Sequence, residues 1–191
     1  MPTKEEILNY SSDLFLRYGI RKTTMEDVAR ICHIGKATLY KFFKNKEELF
    51  REILKSDINT IISTMQDRIK DISSVKERLR VLFETEYMLL RGRSNLSEVL
   101  NQAGEFADKE VKDFINDFFE RQRRIIRDIL STGVKNGEIE VEDISLLSLA
   151  MMAAGQELYS YFKNIEDEKR ALKSMDYLIE TLFCGIEVRK D

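Results

Sequence analysis

Between residues 36 and 46 the chain gathers groups that donate hydrogen bonds or carry positive charge: Lys36, Thr38, Tyr40, Lys41, Lys44 and Lys46. Ammonium and hydroxyl groups at this density suit phosphate oxygens and the acceptor edges of bases, provided that something holds them in register. Thr24 adds a hydroxyl upstream, and Ala37 is small enough to permit close approach or to touch a thymine methyl. Each of these residues also has a plainer use. Thr24 and Asn45 are helix caps whatever else they do, and Lys41 and Lys44 suit a solvated surface equally well. Leu39 and Phe43 are assigned to a core. Tyr40 fits packing and phosphate contact evenly on its pattern alone.

The elements that must position these groups follow from apolar spacing and caps. Ile7, Leu8, Leu14, Phe15 and Tyr18 recur at helical spacing, and Gly19 ends that run, predicting a first helix from Lys4 to about Tyr18. Thr24-Met25-Glu26-Asp27 places a hydroxyl three residues before an acid, so a short second helix is predicted over 25–32. His33-Ile34-Gly35 reads as a tight turn, and residues 36–43 form another short helix. Asn45 and Glu48 repeat the cap logic. They open a long helix whose stripe runs through Leu49, Ile53, Ile58, Ile62, Met65 and Ile69. Two short helices joined by a three-residue turn, with a third packed across them, make a helix-turn-helix unit.

The stretch from Ile7 to Leu49 carries a resemblance residue by residue: Ile7-Leu8, Leu14-Phe15, Gly19, Thr23-Thr24, Val28-Ala29, Ile34, Lys36, Thr38-Leu39-Tyr40, Phe43, Lys46-Glu47 and Leu49. It resembles the TetR/AcrR family of one-component transcriptional regulators. That resemblance implies that Lys36 and Thr38, on the first turn of a recognition helix, meet the major groove. It also implies that Tyr40, Lys41, Lys46 and Thr24 grip the DNA backbone, with Ala37 at the base edges. The chain departs from the family pattern at three places. His33-Ile34-Gly35 stands where Gly-Val-Ser is common, Phe42 where tyrosine or histidine is frequent, and Tyr10-Ser11 where two alanines are customary. Histidine tolerates positive φ better than branched residues and glycine is an acceptable cap, so the unit is expected to survive. His33 is accordingly read as a turn residue and not as a base.

Five further helices are predicted, roughly 74–91, 95–103, 108–136, 141–163 and 167–189, with breaks at Gly92, Gly104, Gly137 and around Asn164. The expected fold is all-α. A three-helix helix-turn-helix DNA-binding domain at 1–50 precedes a helical effector-binding and dimerisation domain at 51–191, with about nine helices in total. The last two helices are apolar on more than one face, which requires two partners for each. Leu146, Leu149, Ala153, Tyr159, Met175, Ile179, Leu182 and Ile186 are the expected dimer interface, a four-helix arrangement that the resemblance also implies; an unusually well-buried monomer core is the alternative. For a ligand pocket the candidates are Phe83, Tyr87, Phe106, Phe114, Phe118 and Met151, with Glu86, Arg91, Arg93 and Gln102 as polar anchors. Any one of these aromatics taken singly suits core packing. The cavity is expected from the resemblance, and its occupant is a small organic molecule with substantial apolar surface.

Composition narrows the classes. A single proline, Pro2, and 34% charged residues favour helix throughout. Net charge is −3, divided between a head of +3 over residues 1–55 and a body of −6, which suits a protein meeting a polyanion with one end. Cys32 and Cys184 lie far apart with no metal-site spacing, and no apolar run reaches membrane-spanning length, so a cytoplasmic protein is expected, with no cofactor and no metal. An enzyme is not expected, since a lone histidine, no glycine-rich phosphate loop and no nucleophile elbow leave little catalytic equipment. A helical interaction or lipid-carrier module would suit the second part alone and leave the basic head unexplained. Double-stranded DNA, a second copy of the chain and a small effector are the expected partners.

Overall fold

The computed structural model describes residues 2–92, 109–162 and 167–186. Among them run eight helices: α1 (Lys4–Lys22), α2 (Met25–Ile31), α3 (Lys36–Phe42), α4 (Lys46–Ile69), α5 (Val75–Gly92), α6 (Lys109–Lys135), α7 (Ile144–Phe162) and α8 (Glu168–Ile186). The described residues contain no β-strand element, so the all-α expectation is met. The helix expected over 95–103, together with Arg93, Gln102 and Phe106, lies outside the described residues.

The caps read from the sequence are present in atomic detail. Thr24 closes a capping box with Asp27: the Asp27 amide donates to Thr24 Oγ1 at 3.2 Å, and the Thr24 amide donates to the Asp27 carboxylate at 3.0 Å. The Thr24 hydroxyl, which donates to the Asp27 carboxylate at 2.6 Å, and the Thr24 amide hold the Asp27 carboxyl below the usual carboxylate range. Asn45 caps α4 by accepting from the Glu48 amide at 2.8 Å, while the Glu48 carboxylate reaches back to the Lys44 amide at 2.6 Å. A further box at Thr3 and Glu6 starts α1.

Helix α1 runs one turn past the expected end at Tyr18. Gly19 has φ +75° and ψ 155°, which bends the helix, and Ile20–Lys22 resume it. Only a residue without Cβ adopts that backbone cheaply. His33, at φ 53°, is the single non-glycine residue of positive φ among those described; the expected accommodation of a histidine in the turn is therefore what the chain does. Gly35 opens α3 with no side-chain cap.

The chain divides into two compact units. The first comprises residues 1–60 and 92–116. Its interior is built from Ile7, Phe15, Val28, Leu39, Phe43, Leu49 and Ile53, all 1% exposed or less. Phe15 meets Phe50 edge-on at 5.6 Å between ring centroids. Ser11, in a position where alanine was customary, is fully buried and donates to the Ile7 carbonyl at 2.6 Å, so its hydroxyl is satisfied within its own helix. The second unit comprises residues 61–91 and 117–191. Leu79, Leu82, Phe118, Ile129, Leu130, Met151, Ala171 and Phe183 fill it. Within it α7 and α8 pack on each other, and Gly155 sits so close to the Phe83 ring that a Cβ there would lie 2.7 Å from a ring carbon.

Candidate nucleic-acid interface

Helix α3 has two sides. Leu39 and the following Phe43 turn inward and anchor the helix, while Lys36, Ala37, Tyr40 and Lys41 form an exposed face of two i, i+4 pairs. Thr38 is half-buried at its edge, and Tyr40 is 45% exposed. Thr24 lies exposed at the start of α2. α2 and α3 pack against each other, and α1 packs on α2, so the donors on α3 and at the α2 start stand on one small scaffold.

Two of the lysines are already engaged. Lys36 Nζ donates to Glu26 Oε1 across the α2–α3 turn at 2.5 Å. The pair holds the Glu26 carboxyl below its usual range and the Lys36 ammonium above its own. Glu26 was not visible as a functional residue in the sequence, because only the angle between α2 and α3 brings it to Lys36. Lys46, half-buried, points its ammonium at the end of α1: Nζ donates to the carbonyls of Ile20 at 2.9 Å, Thr23 at 3.2 Å and Arg21 at 3.5 Å. In the free protein Lys46 therefore ties the start of α4 to carbonyls left over at the α1 terminus, where a cation also suits the helix dipole. An open hollow of about 480 Å³ lies on α1 and α2, lined by Leu14, Tyr18, Lys22, Thr23, Asp27, Arg30 and Ile31, with no α3 residue in its wall.

The second unit contains the other expected groups. Phe83, Tyr87, Phe118 and Met151 are all buried in it, whereas Phe114 is half-buried and belongs to the first unit. Arg91 donates to the Tyr87 hydroxyl at 3.1 Å and approaches Glu168 at 3.5 Å, so its guanidinium is occupied by the protein itself. Glu86 is 8% exposed, and burial pushes its carboxyl up to about 7, with the Gln122 amide beside it acting in the opposite direction. Gln122 was overlooked, although a signal existed: it interrupts the apolar i, i+4 series Phe118, Gln122, Ile126.

Of the expected interface residues, Leu146, Leu149 and Ala153 are exposed on α7, and Leu182 and Ile186 are half-buried on α8. Tyr159, Met175 and Ile179 are corrected: at 8%, 4% and 2% exposure they are packed in their own subunit. An amphipathic helix read from sequence shows which positions are apolar, not which of two apolar stripes turns inward. Tyr161 and Tyr177, at 62% and 75% exposure, are apolar-bodied surface residues.

Comparison with known proteins decides the class. Residues 7–53 match the family model for bacterial regulatory proteins of the tetR family, and residues 54–157, more than half of the chain, match the C-terminal region of YsiA-like proteins, a TetR-type C-terminal domain. The chain belongs to the TetR family. This TetR-family protein is a DNA-binding transcriptional regulator, and its helix-turn-helix is the DNA-binding element. It is 25% identical over 187 residues to the fatty acid metabolism regulator protein of Bacillus subtilis, covering 97% of this chain and 96% of the relative. It is 26% identical over 146 residues to the HTH-type transcriptional repressor KstR2 of Mycolicibacterium smegmatis, covering 75% and 71% of the two chains. The crystal structure of the Bacillus subtilis regulator FadR in complex with stearoyl-CoA superposes with a TM-score of 0.78 at 22% identity, over 97% of this chain and all of the other. No described helix of this TetR-family chain is long and apolar enough to cross a membrane.

Proposed function

We propose that this chain is an effector-released repressor that binds a pseudo-palindromic operator as a homodimer and has no enzymatic activity. The observation that carries the reading is the exposed face of α3, where Lys36, Ala37, Tyr40 and Lys41 stand outward on a helix anchored by Leu39 and Phe43. Residues 1–50 act as the DNA-binding head and residues 51–191 as the effector-binding and dimerisation body. Lys36, Thr38 and Ala37 approach base edges, and Tyr40, Lys41 and Thr24 hold phosphates. Lys46 supports the same surface from beneath, through its hold on the α1 carbonyls.

Dimerisation uses the exposed apolar residues of α7 and α8, among them Leu146, Leu149, Ala153 and Tyr177. A dimer presents two recognition helices to successive major grooves, about 34–36 Å apart. An effector releases DNA only to the extent that it binds the unfit spacing better than the fit one, so its role is a shift of population. The effector is small and largely apolar, in line with the buried aromatic side chains of the second unit.

Selection of random duplexes against the full-length protein tests this. The expected product is an inverted repeat with half-sites one helical turn apart or a multiple of it, bound with an affinity that falls steeply as salt rises. Tyr40→Ala combined with Lys41→Ala is expected to lose about 2–4 kcal/mol of binding while sedimentation still reports a dimer. Equal binding by that variant, or the absence of any selected motif, refutes the reading.

A further inference from the structure

Buried polar side chains of the second unit are mostly satisfied by the protein. Thr85 donates to the Val81 carbonyl at 2.6 Å, Ser148 to Ser145 at 2.9 Å, and Tyr159 to Leu90 at 3.4 Å, while Tyr87 accepts from Arg91 at 3.1 Å. Single buried atoms of Arg78, Arg123 and Asp176 lack a hydrogen-bond partner, and Gln122 lacks one at both of its polar atoms. It is 1% exposed, and neither its Oε1 nor its Nε2 has a hydrogen-bond partner. Beside it stands the buried carboxyl of Glu86. One turn to either side of Glu86 lie Leu82 and Leu90, and one turn to either side of Gln122 lie Phe118 and Ile126, all 2% exposed or less. A carboxyl and an unpaired carboxamide thus meet between apolar helical stripes. Leaving an amide unpaired in such surroundings is costly, and cores avoid it unless a water or a ligand completes the bonding.

We propose that Glu86 and Gln122 are the polar end of the effector site, and that the effector is an apolar molecule ending in a hydrogen-bond donor, an amine or a hydroxyl. This rests on the reading of the second unit as an effector domain and narrows the effector's chemistry. A donor end serves both groups at once: it gives its hydrogen to a Glu86 oxygen or to Gln122 Oε1, and a hydroxyl also accepts from Gln122 Nε2. An ammonium in addition neutralises the ionised Glu86 where solvent is absent. A carboxylate or phosphate end has no donor to offer and sets a second negative charge against the carboxyl. Arg91, the cation one turn beyond Tyr87, is already held by Tyr87 and Glu168. Phe83 and Tyr87 on the helix of Glu86, and Phe118 on that of Gln122, are buried aromatic candidates for the apolar wall.

The test is calorimetric titration of the full-length protein at pH 8 with four octyl probes: octylamine, octan-1-ol, octanoate and octanoyl-CoA. Octylamine and octan-1-ol are expected to bind at least about tenfold tighter than octanoate or octanoyl-CoA. Glu86→Gln is expected to weaken octylamine by about tenfold or more and to leave octan-1-ol within about threefold. Gln122→Leu is expected to weaken both. The ranking of head groups is measured on the unmodified protein and does not depend on either variant folding. The assignment is overturned if octanoate or octanoyl-CoA binds as well as the donors, if none of the four binds, or if both variants keep the parent ranking. Duplex selection is read separately. A protein that selects an operator and is released by octanoyl-CoA keeps its regulator role and loses this site. One that ranks the donors first but selects no operator keeps the site and loses the regulator role.

Discussion

Single residues here do work that their types alone do not disclose. Glu86 is a carboxyl whose folded value lies near 7, above its ordinary 4.5. The folded state therefore holds its proton more tightly than the unfolded chain does. Stability contributed by that proton is present below about pH 4.5 and declines as pH rises to about 7, after which the penalty is constant. Glu86→Gln is expected to flatten that slope and to raise stability at pH 8 by on the order of 3 kcal/mol at most. Denaturant unfolding of both proteins at pH 5 and pH 8 measures it, and equal slopes would refute it. Lys46 illustrates a different gap between type and role. The sequence marks it as a cation beside a helix start, which suits phosphate, while the fold brings three carbonyls to its ammonium. Lys46→Met is expected to lower stability by about 1–3 kcal/mol, since those carbonyls lose their donor. A variant that melts like the parent yet binds DNA poorly would return Lys46 to a phosphate-gripping role. Glu26 acts on Lys36 in a third way, since it already holds the ammonium that the proposed DNA contact requires.

At the scale of elements, local chemistry was legible and tertiary choice was not. Caps at Thr24 and Asn45 involve residues three apart, so their geometry is written in the chain itself, and both helix starts fall where the spacing placed them. Gly19 was legible as a break but not as a bend, since the one helical turn that follows it gains its support from Lys46, twenty-six residues away from Ile20. Gly19→Ala meets no neighbouring atom, so its expected cost of about 1–3 kcal/mol is backbone strain alone. Thermal unfolding gives the value, and an unchanged melting temperature would mean that α1 can straighten through to Lys22. On α7 and α8 the apolar positions were recognised but divided wrongly: Tyr159, Met175 and Ile179 face inward while Leu146 and Leu149 face out. Two stripes of similar composition cannot be ranked without knowing the neighbour.

For the whole molecule, the family and the all-α architecture were readable from a quarter of the chain, because the head recognises DNA, a target with one geometry. The body answers to an effector of unknown shape and repeats only helical rhythm, so its candidate site surfaced through a polar residue out of place. The exposed apolar residues of α7 offer the test of assembly. Leu149→Glu alters a side chain that is 44% exposed, so the subunit is expected to fold with a stability within about 0.5 kcal/mol of the parent. Sedimentation is expected to show a monomer, and operator affinity to fall by about a hundredfold or more as the second half-site is lost. A stable Leu149→Glu dimer would move the interface elsewhere. Finally, α4 runs through 24 residues with neither proline nor glycine, a rod of roughly 36 Å. Such a rod has no joint at which to absorb motion, so one degree of tilt at its C-terminal end sweeps the other end through about 0.6 Å. A few degrees are enough to misplace a side chain by more than the tolerance of a hydrogen bond.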